Sequence, residues 1–243
     1  MTSTIERRAI KSIDDRPSRE VKLARTAPDA ESEDWIDLDY PGDVETGRRS
    51  SKDDLGAKFS LKRTLDSLTV AVKVVDNDIR NSHAGAELYR GDLVEFYIDP
   101  QANGLQWGDA KDFQIGVSPV SSQKNGDSGP DWYSWFQNGR PKGIVTSAKR
   151  TVDGYTVELV LNWPDLGVVP SPRRVGFSVG VHDVDEDSTP ECKLQWFFLE
   201  PGIKLGELML EERERGLIAD FNSPEKKNNI GGEFGTWQND PAD

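Results

Sequence analysis

Apolar residues recur at every second position along most of this chain. Leu68, Val70, Val72 and Val74 alternate with Thr69, Ala71 and Lys73, the period of a strand with one buried face. Asp76-Asn77-Asp78 ends that run. In the stretch Gly91 to Pro100, Val94, Phe96 and Ile98 point one way while Leu93, Glu95 and Tyr97 point the other, and Pro100 with Asn103-Gly104 turns the chain. Phe113 to Val117 is a shorter run. Tyr155 to Leu161, launched by Asp153-Gly154, pairs as a hairpin with the segment holding Ile144-Val145-Thr146. Val175, Phe177, Val179 and Val181 alternate again, and Leu194 to Leu199 and Leu205 to Leu210 supply two more strands.

No segment carries the spacing of an amphipathic helix longer than about two turns. The stretch Leu210 to Gly216 is charged on all sides and reads as a short solvated turn. Many short strands with Gly, Pro, Asn and Asp between them predict an all-β protein, an antiparallel β-sandwich of jelly-roll or immunoglobulin-like layers with long loops. Residues 1–30, charged and sparse in large apolar groups, are expected to form a poorly ordered arm or a first edge strand. The sandwich is expected over 31–212, and a poorly apolar tail over 213–243.

Charge and cysteine usage narrow the function. The 243 residues hold 30 Lys and Arg against 43 Asp and Glu, a net of -13. That balance argues against nucleic acid, which needs clustered positive charge, and against an anionic membrane surface. A single cysteine, Cys192, excludes an intrachain disulfide and any zinc site with two thiolates. Met1 to Ile10 shows no signal-peptide pattern, and no run of ~18 apolar residues occurs.

Several patterns suggest chemistry. Gly176-Phe177-Ser178-Val179-Gly180 matches G-x-S-x-G, but a hydrolase needs that serine on a strand-to-helix turn, and here it lies inside an alternating strand. Asp92, Glu95 and Asp99 are the best candidates for the two carboxylates that glycoside hydrolysis needs, and Glu95, facing away from Val94, Phe96 and Ile98, suits an ordinary solvent-facing position or a ligand hydrogen bond better than catalysis. Asp183, Asp185 and Asp187 begin like a calcium loop. Its sixth and twelfth positions are Ser188 and Leu194, not the required Gly and Glu, so calcium would have to use an irregular acidic loop. Trp163 and Trp196 sit among apolar strand residues and read as core. Trp107 and the cluster Trp132-Tyr133-Ser134-Trp135-Phe136 lie among Gly, Asp, Asn and Ser, and suit either a sugar platform or a small core pinning a loop.

In order along the chain, these elements resemble the family 9 carbohydrate-binding modules. They are Asp34-Trp35; Leu68 to Asp76; Gly91 to Asp99; Phe113-Gln114-Ile115; Gly154 to Glu158 through Trp163 and Leu166-Gly167; Val175 through His182-Asp183; and Gly206 to Leu210. The resemblance implies a non-catalytic β-sandwich that binds a neutral mono- or oligosaccharide by aromatic stacking and carboxylate hydrogen bonds. Such modules usually accompany secreted polysaccharide-degrading enzymes, and several carry structural calcium. It also implies a site using Asp76, Glu95 and the aromatic before the D-x-V-E run, Tyr89. The chain departs from the family pattern in having Tyr89 in place of tryptophan and Gly116 in place of a basic residue. A second sandwiching tryptophan near the last strand is also missing, for which Trp132 or Trp135 is a substitute. The alternative is a structural or protein-interaction sandwich that has lost the sugar site.

Overall fold

Alternating branched and aromatic residues give two sheets whose apolar faces meet. The computed structural model describes residues 17–21, 34–38, 44–47, 51–103, 108–120, 130–185, 192–199 and 204–210. One sheet runs β2 (Ile36–Asp37), β4 (Leu55–Arg63), β5 (Ser67–Asp76), β10 (Gly154–Asn162), β9 (Ile144–Arg150). The other runs β1 (Ser18–Glu20), β14 (Lys204–Met209), β11 (Arg174–Asp183), β6 (Leu93–Asp99), β7 (Phe113–Val117), β8 (Trp132–Ser134). One edge of β11 is shared. Its first half pairs with β14 and its second half with β12 (Cys192–Gln195), which pairs in turn with β3 (Val44–Gly47), while β13 (Phe198–Leu199) pairs with β14. The pairings are antiparallel except β1 with β14, so the expected antiparallel sandwich is what forms.

The core lies between the sheets. Val70, Val72 and Val74 of β5 and Val157, Leu159 and Leu161 of β10 face Val94, Phe96 and Ile98 of β6 and Val175, Phe177, Val179 and Val181 of β11. Phe59 of β4 meets Phe177 with ring centroids 5.8 Å apart, and Trp196 closes the group at 5.5 Å from Phe59 and 5.7 Å from Phe177. Trp163 is fully buried, as its apolar neighbours predict.

Of the predicted N-terminal arm, Ser18–Glu20 takes the edge-strand alternative. Two features differ from expectation, the first at the residue that follows. Val21 is 2% exposed in the core, its N–H donating to the Met209 carbonyl at 2.9 Å and its own carbonyl accepting from Arg63 Nε at 2.9 Å. Residues 1–16 and 22–30 of that arm and the extension 213–243 lie outside the described residues. The second difference is a 3₁₀ helix over Gly85–Arg90. It has one buried side chain, Leu88, too little for a periodicity to show. Asn81 holds it from outside, donating to the carbonyls of Leu88 (2.9 Å) and Asp92 (3.1 Å).

Candidate functional site

β6 is buried at every position, on both faces. The inward face is core. On the outward face, Gly180, Glu95, Gly116 and Tyr133 lie side by side across β11, β6, β7 and β8. The glycines flanking Glu95 are where close approach matters. A Cβ at Gly180 would meet Lys193 Cε at 3.0 Å, and one at Gly116 would meet the Trp135 ring at 2.6 Å. The lysine stem therefore crosses one neighbour of Glu95 and the indole covers the other.

Glu95 is 3% exposed and accepts from four side-chain donors. Its Oε2 accepts from the Tyr97 hydroxyl at 2.5 Å, His182 Nε2 at 2.8 Å and Lys193 Nζ at 3.0 Å, and Oε1 accepts from Gln114 Nε2 at 2.5 Å. Lys193 Nζ also donates to the Tyr97 hydroxyl at 2.8 Å. Burial alone would raise the Glu95 pKa. The Lys193 charge, the His182 hydrogen bond and charge, and the Tyr97 hydroxyl outweigh it and hold the carboxyl well below its usual range. Burial, then the Lys193 charge, lower the His182 pKa despite Glu95. A carboxylate only accepts, so the neutral imidazole carries its proton on Nε2.

Aromatic groups border this network. Trp135 Nε1 donates to the Ala86 carbonyl at 3.0 Å, tying the β8 turn to the 3₁₀ helix. Tyr133 meets Trp135 edge-on at 5.8 Å. Tyr89, in the same helix as Ala86, is 41% exposed with the Arg90 guanidinium 6.0 Å over its ring, and its main chain lies beside His182. The structure thus brings Tyr89, Glu95 and Trp135 to one side of one sheet.

It does not bring the other candidates there. Trp132 pairs with Val117 and packs on the core side, with the Arg140 guanidinium 5.5 Å over its ring and Arg140 Nε bonded to its carbonyl at 2.9 Å. Within the tryptophan cluster, Trp132 pins a loop to the core, as one of the two alternatives has it, while Trp135 covers the outer face. Asp76 continues the inward row of β5 and is only 5% exposed, so it cannot share a ligand surface with Glu95, which faces outward from the other sheet. Asp183 also faces inward, where it meets Asp76 and Asp92. One carboxylate oxygen from each of the three lies within 4.8 Å of the others. Asp185 offers its carbonyl to Arg80 Nη1 at 2.6 Å, while Asp187 and Trp107 lie outside the described residues. Ser178 is buried in mid-strand with its hydroxyl donating to the Trp196 carbonyl, not poised as a nucleophile.

Lys193, His182, Gln114 and Tyr133 belong to the site without a local signal of their own. Alternation places His182, Gln114 and Tyr133 on outward positions, but only strand order and register set them around Glu95. The cation beside Glu95 is Lys193, which reaches in from β12, whereas the resemblance pointed to a basic residue on β7.

Fold and face together define the class, an antiparallel β-sandwich domain with a polar and aromatic patch on the outer side of one sheet. The family described as Carbohydrate family 9 binding domain-like matches residues 33–201, and the chain belongs to that family. Among solved structures it is similar to a carbohydrate binding module family 9 from Caldicellulosiruptor kristjanssonii. In complex with cellotriose, that module has a TM-score of 0.60 and 18% identity, covering 85% of this chain and 100% of that one. In complex with glucose the TM-score is 0.59, with the same identity and coverage. A Bacteroides uniformis protein is similar at TM-score 0.53 and 12% identity, over 81% of this chain and 100% of that one. No curated protein sequence matches significantly.

Proposed function

We propose that this chain is a non-catalytic carbohydrate-binding module that takes a neutral mono- or oligosaccharide on the outer face of β6, β7 and β8. The observation that carries this reading is the placement of the exposed Tyr89 ring and the Trp135 indole beside the Glu95–Lys193 network. Rings cover the apolar C–H face of a sugar while polar groups take its hydroxyls. Glu95 Oε1 accepts one bond, from Gln114, and a carboxylate oxygen has a second lone pair for a sugar hydroxyl. Family membership supports the same reading, as do the cellotriose and glucose bound by the Caldicellulosiruptor module. Glu95, held ionised, is unsuited to the general-acid role in glycoside hydrolysis, which needs a carboxyl kept protonated near neutral pH. An associated polysaccharide-degrading enzyme would supply the chemistry.

The closed packing of Glu95 favours the second reading, a structural or protein-interaction sandwich. Calorimetric titration with glucose, cellobiose and cellotriose separates the two. Binding is expected, weakened about tenfold or more by Tyr89→Ala, the equivalent of about 1.4 kcal/mol of lost stacking. The exposed ring makes little contribution to folding, so the variant's melting temperature stays near wild type. Absence of heat at millimolar sugar in the wild-type protein overturns the sugar reading.

A further inference from the structure

Lysines gather on the outer face of the sheet that holds β4, β5 and β10, in a chain of net charge -13. Its inward residues fix which positions face out. Lys58 precedes the buried Phe59 on β4, Lys73 lies between Val72 and Val74 on β5, and Thr156 lies between Tyr155 and Val157 on β10. Register sets Asp37, Lys58, Lys73, Thr156 and Lys149 in one row across β2, β4, β5, β10 and β9. Lys58 and Lys73 are direct cross-strand neighbours, and like charges so placed repel. Their ammonium groups nevertheless converge on one ring, Lys58 Nζ at 5.5 Å and Lys73 Nζ at 4.7 Å from the centre of Trp35. The acids of this face are Asp37, Glu158 and, at one end, Asp153. Among the described residues, none of them forms an ion pair with Lys58, Lys73 or Lys149.

We infer that this face is a second binding site, for a carboxylate-bearing saccharide of the oligouronide class laid across β4, β5 and β10. A groove of about 560 Å³ opens beside Lys58 and Lys73 and reaches Thr151 and Thr156 past the small Gly56. An aromatic face attracts an ammonium without accepting its three N–H groups, so the Trp35 ring positions both lysine heads and leaves them donors for a carboxylate. Neighbouring strands stand about 4.7–4.9 Å apart, so the row offers positive charge at intervals, Lys149 lying two strands beyond Lys73. Carboxylates repeated along a chain match such a row, and the Thr151 and Thr156 hydroxyls can meet sugar hydroxyls. An anion here would also relieve the repulsion between Lys58 and Lys73. An acidic protein fits less well. Interfaces between proteins centre on a buried aromatic or apolar anchor, and the ring at this groove, half-buried, is taken by the lysines. The net negative charge elsewhere is screened beyond about 8 Å at physiological salt. Because Tyr89, Glu95 and Trp135 lie on the opposite sheet, the inference does not depend on neutral-sugar binding.

The test titrates the full chain with tetragalacturonate by calorimetry, at low and at high sodium chloride. Saturable binding at low salt, weakened as salt rises, is expected. Lys58→Gln combined with Lys73→Gln should weaken it about fivefold or more. Lys73→Gln alone, at an exposed position, should weaken it measurably, and neither variant should melt below wild type, since each removes a like-charge pair. Tyr89→Ala should leave uronide binding unchanged, and cellotriose should not compete with it. No heat with the uronide at low salt overturns the site. So does binding that survives the double lysine variant, or that is lost in Tyr89→Ala, which would place the uronide on the opposite sheet. Polyglutamate bound as tightly as the uronide overturns the choice of a saccharide in favour of an acidic protein segment. Cellotriose titration of the same samples reports separately on the outer face of β6, so either reading can fail while the other stands.

Discussion

Glu95 shows how little a residue's position in a strand says about its surroundings. Its outward position is readable from the alternation of Val94, Phe96 and Ile98, yet it is buried, because Lys193, His182, Tyr97 and Gln114 close over it. Removing one partner of a buried ion pair strands the other, at about 3–5 kcal/mol. Glu95→Gln is therefore expected to lose roughly that much stability at pH 7 by urea denaturation. The sign of the pH dependence follows from the depressed folded-state pKa. The ionised carboxylate stabilises the fold in full above its unfolded value of 4.5, and that stabilisation drains away as pH falls toward the lower folded value. The gap between wild type and Glu95→Gln should thus narrow steadily from pH 5 to pH 3, and a gap constant across that range would show that Glu95 is not held ionised by Lys193 and His182.

At the scale of elements, glycines decide how closely strands and side chains meet. Gly154 opens β10 at φ 152°, where a Cβ would stand 2.1 Å from the Val74 carbonyl oxygen of β5. That contact is backbone and cannot yield, so Gly154→Ala should break the start of the β5–β10 ladder. A loss well above 1 kcal/mol is expected, read from melting temperature and from amide exchange at Val74 and Val75. Gly116→Ala acts differently. The new methyl meets Trp135 and Leu93, side chains that can move, so about 1–3 kcal/mol is expected, accompanied by a shift in tryptophan emission as the indole lifts from β7. An unchanged spectrum would mean that the Trp135 ring does not rest on Gly116. The 3₁₀ helix was not legible at this scale because Leu88 is its one buried side chain, and its hold on the body comes from Asn81, just before it, and from Trp135, distant in sequence.

At the scale of the whole molecule, the two sheets are held by burial across their shared interface. Phe59 joins Phe177 and Trp196 from the opposite side of the core and is fully buried, so Phe59→Ala should cost about 3–5 kcal/mol by denaturant unfolding, in transfer energy and residual cavity. A cost below about 1 kcal/mol would contradict the packing. The same facing of sheets sets the fate of the acids. Asp76 on one sheet and Asp92 and Asp183 on the other each occupy an inward position where a valine would be ordinary; the register of β6 and β11 sets Asp92 beside Asp183, and the apposition of the sheets brings Asp76 to them.

Alternation by twos determined, from the sequence alone, the all-β class, the strands β5, β6, β10 and β11, much of their core and the side of β6 on which Glu95 lies, because side-chain direction in a strand is a local property of the backbone. Tertiary structure decided which of those positions meet. Strand order and register carried Lys193 to Glu95, separated Trp132 from Trp135, and gathered Asp76, Asp92, Asp183 and Tyr155 at one end of the core. Such encounters depend on long-range pairing, which no local period encodes.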